Sequence, residues 1–253
     1  MIDIHCHILP NIDDGSKNID ESLDMCKIAL QNNISDIVAT PHFLSFYEAE
    51  RFFQMRNDKL EQLQQAIKNN KFNINILPGA EVACSDAMFR YTNLNKLTIN
   101  NSRYLLLEFP FIPVKEEHLM EYTDCVFDNG LIPIIAHPER FEIIINNYDI
   151  INELGDKGCL FQINCFSLLG GFGRRVKKLA MAMLKNGYAD ILATDAHTSS
   201  GRRSINLKEM VNSIPDSIQS EILSKAVNDI PLLIINNKPI QIIRQSYIKK
   251  SIF

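Results

Sequence analysis

IDIHCHILPNIDD, residues 2–14, decides the fold. Its first half is a short β-branched run. Its second half, ILPNIDD (8–14), leads away without the glycine-rich loop that a doubly wound nucleotide-binding sheet places after its first strand. The rest of the chain repeats this opening. Strand-like runs recur at 36–41, 74–82, 103–109, 131–137, 159–165 and 190–196. Stretches of helical period fill the gaps at 20–33, 48–70, 115–129, 148–157 and 173–187. Asp20-Glu21 and Glu116-Glu117 suit helix starts, and Asn129-Gly130 and Asn186-Gly187 read as stops. From about 207 the tail reads as further helices, punctuated by Pro215, Pro231 and Pro239. Seven strands alternating with helices imply a parallel sheet, with a closed or nearly closed α/β barrel as its economical form. An open doubly wound sheet is the runner-up.

The chain has 253 residues, 46% of them hydrophobic, enough for one domain spanning 1–253. The net charge of -4 and the absence of a long basic run give no reason to expect nucleic acid. No apolar stretch approaches the roughly 20 residues of a spanning helix, so membrane insertion is not expected. The start has no secretory pattern. Cys6, Cys26, Cys84, Cys125, Cys159 and Cys165 form no C-x-x-C pair and read as reduced core thiols of a cytoplasmic protein.

The ionisable residues fall at strand ends. His5 and His7 close the first run, His42 follows the second, and Glu81 and Glu108 end the third and fourth. His137 ends the fifth, Gln162 and Asn164 the sixth, and Asp195 and His197 the seventh. Asp13 and Asp14 follow the first strand, and spacing alone leaves open which of them acts. Five of the six histidines sit at these points; His118, on a helix, is assigned no role. In a parallel barrel all strand C-termini open on one face, which holds the chemistry. A lone histidine there is more often a hydrogen-bonded core residue. The set resists that reading, because four carboxylates buried together without counter-charge are too costly.

Divalent cations remove that cost. His and carboxylate ligands suit manganese, iron or zinc over calcium or magnesium, and nine ligands fit two or three ions. Three such ions, against Asp14, Glu81, Glu108 and Asp195, leave a net positive charge that favours phosphate. A metal-held hydroxide, its pKa lowered from 15.7 toward roughly 7, is then the attacking group on phosphorus. Arg140, three residues past His137, suits phosphate oxygens, as does one of Arg202 and Arg203. Cys84 and Arg90 fit the C-x5-R pattern of cysteine-dependent phosphatases, but that loop holds Asp86, Met88 and Phe89 and no glycine, so the pattern is rejected. Ser85-Asp86 reads instead as a helix cap. Phe43, Phe46, Tyr47, Phe111 and Phe166 follow strand ends, where they either wall a groove for an aromatic ring or pack the rim.

MIDIHCHILPNIDDG, ATPHF, LPGAEV, SRYLLLEFP, IIAHPER, QINCFSLLG and ATDAHTSSGRR occur in this order from residue 1 to about 203. With these stretches the chain resembles the PHP (polymerase and histidinol phosphatase) superfamily. Within it, the chain looks like the bacterial manganese-dependent protein-tyrosine phosphatases encoded with capsule and exopolysaccharide synthesis genes. The resemblance implies a distorted seven-stranded, TIM-like (β/α)7 barrel with a trinuclear centre. It assigns His5, His7, Glu81 and Asp195 to one metal, Glu81, Glu108 and His137 to a second, and Asp14, His42 and His197 to a third. It makes Asp195 and Arg140, with an arginine of the 202/203 pair, the catalytic and phosphate-binding groups. It implies as partner the tail of an autophosphorylating tyrosine kinase at the inner membrane face. After His197 the family often reads N-x-x-x-R-x-P, where this chain has Thr198-Ser-Ser-Gly-Arg-Arg-Ser. The competing functions are a histidinol-phosphatase-type small-molecule enzyme, a nuclease, disfavoured by the pI of about 5.9, and an inactive scaffold, disfavoured by the complete ligand set.

Overall fold

The structure, a computed structural model, describes residues 1–214, 218 and 220–249. Pro215, read above as a break in the tail, lies outside the described residues. Among the described residues nine strands are interspersed with helices, and every strand pairing is parallel. Strands β1 (Ile2–Cys6), β2 (Asp36–Ala39) and β4 (Asn75–Pro78) form one sheet. Strands β3 (His42–Phe43), β5 (Glu81–Ala83), β6 (Tyr104–Glu108), β7 (Ile132–Ala136), β8 (Leu160–Asn164) and β9 (Ile191–Ala193) form the second, in that order.

Seven runs become nine strands because two of them break. Pro41 has no N–H to give a ladder, so pairing stops at Ala39 and resumes at His42. Gly79 divides β4 from β5 where the backbone presses on β2. A Cβ there would meet Val38 Cγ1 at 2.7 Å. The end of β1 is tied to the segment after β9. Asp195 N donates to His5 O at 2.9 Å, and His7 N to Ala196 O at 2.8 Å. Beneath this seam, buried Asp3 accepts from the Thr194 hydroxyl at 2.5 Å, and burial pushes its carboxyl up to about 6.

Five helices follow the sequence pattern within a residue or two, α1 Ile19–Gln31, α2 Ala49–Asn69, α3 Glu116–Asp128, α5 Asp149–Asp156 and α7 Arg174–Lys185, while the short α4 Glu142–Asn146 and α6 Cys165–Leu169 are additional to it. At α1 the cap is Asn18. Its side chain accepts from Glu21 N while Lys17 N donates to the Glu21 carboxylate, both at 2.9 Å. Helices α8 (Leu207–Asn212), α9 (Ser220–Ser224) and α10 (Ile230–Ile235) follow. Between α9 and α10 the turns widen to π geometry over Lys225–Asp229, just before Pro231, which cannot donate to Val227.

Alternation along each strand sorts the core. Tyr104 and Leu106, Ile134 and Ala136, Leu160, and Ile191 and Ala193 join Ile234 and Ile235 of α10 in one apolar cluster. Leu105, Leu107, Ile135, Phe161, Ile163 and Leu192 face the helices in the other. On the first face β6 and β8 start apolar and end polar, which carries Glu108 and Gln162 to the strand ends. Strand β1 gains one residue against β2 between Asp3 and Cys6, and this irregularity shifts its phase so that His5 and His7 turn to that face.

Arg244 closes the base between β8 and β9. It donates to both Asp190 oxygens at 2.8 and 3.0 Å, to Gly187 O at 2.6 Å and to Cys159 O at 2.9 Å, with its guanidinium over Phe161 and Tyr188. Arg244→Ala would strand the buried Asp190 carboxylate. It is expected to lower stability by about 3 kcal/mol, read as a shifted urea midpoint with an unchanged slope.

Candidate metal centre

All nine residues picked out at strand ends meet at one place. The Glu81 carboxylate is its middle: Oε1 lies 3.2 Å from His5 Nε2 and 2.9 Å from His137 Nε2, and Oε2 lies 3.2 Å from His7 Nε2 and 3.0 Å from His42 Nδ1. Asp195 Oδ1 lies 3.5 to 3.6 Å from nitrogens of His5, His7 and His197. Glu108 approaches His137 Nε2 at 3.5 Å. Asp14 Oδ1 bridges His42 Nε2 and His197 Nε2, each at 3.3 Å. Ligand-type atoms gather within 4.8 Å of one another in three groups: His7, Asp14, His42 and His197; His5, His7 and Glu81; His42, Glu81 and Glu108.

Outer hydrogen bonds aim the imidazoles. Gln162 Oε1 accepts from His5 Nδ1 at 2.9 Å and from the His137 amide at 3.3 Å. Asp13 accepts from His7 Nδ1 at 2.8 Å, and also from the amides of Gly15 and His42. His197 Nδ1 donates to Asp195 O at 2.9 Å. These bonds place the proton on Nδ1 and leave the Nε2 lone pairs of His5, His7 and His197 facing the centre. Asp13 and Asp14 thus divide the work: Asp14 faces the cluster, and Asp13 holds His7. His137 (φ 32) and Asp195 (φ 51) both sit in the left-handed region, a strained backbone for residues other than glycine.

The residues fit metal ions. His5 Nε2 and His7 Nε2 lie 3.4 Å apart with their other nitrogens committed as donors. His42 Nδ1 and Glu81 Oε2, 3.0 Å apart, are misaligned for a hydrogen bond and buried without another. Lone pairs aimed at a common point require a cation there. The protein's own charges make the same demand. Burial opposes protonation of His5 and His7, yet their carboxylate neighbours outweigh it and hold them up at about 9 and about 10. Glu108, pushed the other way by burial and by Glu81, rises to about 7.

Two arginines edge the centre. Arg140 Nη1 donates to Asp195 Oδ2 at 3.1 Å, and its guanidinium lies 4.4 Å from the Phe172 ring centre and 5.2 Å from that of Phe111. Arg203 reaches Asp14 Oδ2 at 3.2 Å and makes a close contact with His197 Nε2. Arg202 is exposed and joins none of these contacts. His118 is exposed on α3, apart from the cluster.

A family model for capsular polysaccharide synthesis, CpsB/CapC, matches residues 1–236. The chain belongs to the CpsB/CapC family. It is 36% identical over 259 residues to a putative tyrosine-protein phosphatase, CapC, of Staphylococcus aureus, covering 100% of this chain and 99% of that one. With tyrosine-protein phosphatase YwqE of Bacillus subtilis strain 168 it shares 30% identity over 241 residues, 93% and 92% of the two chains. A crystal structure reported with YwqE from Bacillus subtilis and CpsB from Streptococcus pneumoniae, unique metal-dependent tyrosine phosphatases, matches with a TM-score of 0.81 at 28% identity over 97% of each chain.

In this CpsB/CapC member several supporting residues escape a sequence reading. Asn164 donates to Asp195 Oδ2 at 3.0 Å, a contact its place at a strand end hints at. Buried Glu139 accepts from the Asn164 amide at 3.1 Å; only its position between His137 and Arg140 marks it. Phe172 carries no sequence signal. Of the rim aromatics, Phe43 and Phe46 pack into the core while Tyr47 and Phe111 are exposed. Cys84 is buried with its thiol pushed far up by burial, as the rejection of C-x5-R requires. The six cysteines are all free thiols. Asp13→Asn, which weakens the hold on His7, is expected to reduce manganese affinity about 10- to 100-fold in titration calorimetry. Unchanged affinity would remove Asp13 from that supporting role.

Proposed function

We propose that this chain is a metal-dependent tyrosine-protein phosphatase of capsular polysaccharide synthesis. The observation that carries the reading is the convergence of nine His, Asp and Glu side chains on one point in a chain whose full-length relatives are tyrosine phosphatases. His5, His7, Asp14, His42, Glu81, Glu108, His137, Asp195 and His197 are the metal ligands. Manganese is the preferred ion, with iron or zinc as substitutes, in two or three sites. Divalent ions bound there would supply an activated water and neutralise phosphate charge.

The chain's own residues do the rest. Arg140 spends one N–H on Asp195, which leaves the remaining donors of its fork for phosphate oxygens. Phe111 and Phe172 hold that fork flat. Arg203, rather than Arg202, is the second phosphate arginine, supported by its contacts with Asp14 and His197. Phe111 is exposed and also stacks on His137 at 6.0 Å, so a tyrosine ring esterified to the bound phosphate would lie against it.

The fuller picture is one domain, residues 1–253, with both sheets wrapped into a distorted barrel. The two ties between β1 and the segment after β9 support this closure. No helix among the described residues is long and apolar enough to cross a membrane. We place the enzyme in the cytoplasm, acting on a phosphotyrosine-bearing tail of a membrane-associated tyrosine kinase.

Turnover of a phosphotyrosine peptide should vanish with chelator and return with manganese, and histidinol phosphate should be a poor substrate. Asp195→Asn should lose activity at least 100-fold; retention of activity would overturn the metal reading. Phe111→Ala should lower kcat/KM for the phosphotyrosine peptide about tenfold, roughly 1.4 kcal/mol, and leave an alkyl phosphate nearly unaffected. An equal loss on both substrates would show that Phe111 selects nothing.

A further inference from the structure

Helix α7 breaks a local electrostatic rule. Its residues Arg174–Lys185 carry five cations and no acid. Four of those cations, Arg174, Arg175, Lys177 and Lys178, occupy its first five positions, the positive end of the helix dipole where carboxylates are favoured. With α7 at +5 and the whole chain at -4, the remainder carries -9. The cluster makes a local positive patch on an otherwise acidic protein.

The cluster is arranged as a stripe. Val176, Leu179, Ala180, Met183 and Leu184 are buried against the body. Arg174, Lys177, Lys178 and Lys185 are exposed on the opposite side and border a shallow trough of about 460 Å³ floored by Met181. Arg175 stands apart, donating to Glu142 at 2.8 Å and to Asn146 at 2.7 Å.

Helix α7 packs beside the turn that carries Arg140. Phe172, two residues before α7, packs on the Arg140 guanidinium. The Lys177 stem lies beside Gly170, where an added Cβ would be 3.4 Å away. Gly170 caps α6, which starts directly after Asn164, the residue that donates to Asp195. A chain anchored by its phosphate at Arg140 and leaving over Phe172 would pass along this stripe.

We propose that the α7 stripe docks an acidic segment flanking the phosphotyrosine of the protein substrate. The inference rests on the phosphatase reading above. The cations supply charge complementarity to Asp and Glu side chains, and the Met181 floor takes an apolar residue between them. A flat anionic bilayer would engage only the cation tips and leave that floor empty. The bound phosphate and the docked flank act as two linked contacts, so the stripe raises affinity for the protein substrate without touching the reaction.

The test compares wild type with Lys177→Gln/Lys185→Gln and Lys177→Glu/Lys185→Glu, with melting curves confirming the fold. Three substrates are used: a phosphotyrosine peptide with acidic flanks, the same peptide with neutral flanks, and para-nitrophenyl phosphate. KM for the acidic peptide should rise at least fivefold in the Gln pair and further in the Glu pair, with kcat and para-nitrophenyl phosphate turnover unchanged. The wild-type preference for acidic flanks should fade in about 0.3 M salt, as screening requires. Equal KM changes for acidic and neutral peptides, or none, would overturn the proposal. So would loss of binding to phosphatidylglycerol vesicles with peptide KM unchanged, which would assign the stripe to a membrane. If wild type turned over no phosphate ester, the phosphatase reading would fail by itself; anisotropy of the labelled, unphosphorylated acidic peptide would still decide whether the stripe binds it.

Discussion

One carboxylate organises this protein. Glu81 touches four imidazoles delivered by three separate segments, with both of its oxygens engaged and almost no exposure to water. Burial alone would neutralise such an acid, but the surrounding histidines hold its carboxyl well below the usual range. The charges depend on one another: the carboxylates raise His5, His7 and His42 while burial lowers His137 and His197, and a divalent ion could take the place of the protons where lone pairs face each other. The strand ends, the phase shift in β1 and the left-handed backbone at His137 and Asp195 all serve to bring these groups within reach of Glu81.

Much of this was legible in the sequence, for physical reasons. A parallel strand buried on both faces reads as a continuous apolar run, and a charged group at its end interrupts that run visibly. Hence Glu108 after Tyr104–Leu107, and His137 after Ile132–Ala136, were found by position alone. The helix limits followed from amphipathic period and from the Asn-Gly stops, where Gly130 and Gly187 adopt positive φ.

What was illegible depends on contacts between distant segments. The break at Gly79, which divides β4 from β5, follows from how closely its backbone presses on β2. The choices between Asp13 and Asp14, and between Arg202 and Arg203, are choices of direction for adjacent side chains in irregular loops, where no period applies. Phe43 and Tyr47 both follow a strand end, yet one turns into the core and the other into water. Asn18 caps α1, although Asp20 and Glu21 beside it carry the stronger charge signal in the sequence.

The division into two sheets has a mechanical consequence. His5, His7 and Asp14 come from the three-stranded leaf or the loop leaving it, whereas His42, Glu81, Glu108, His137, Asp195 and His197 belong to the six-stranded leaf. An ion held between members of both sets would add a further tie across a joint already closed by the His5–Asp195 and His7–Ala196 backbone bonds, so metal binding at this place would also stabilise the seam between the leaves.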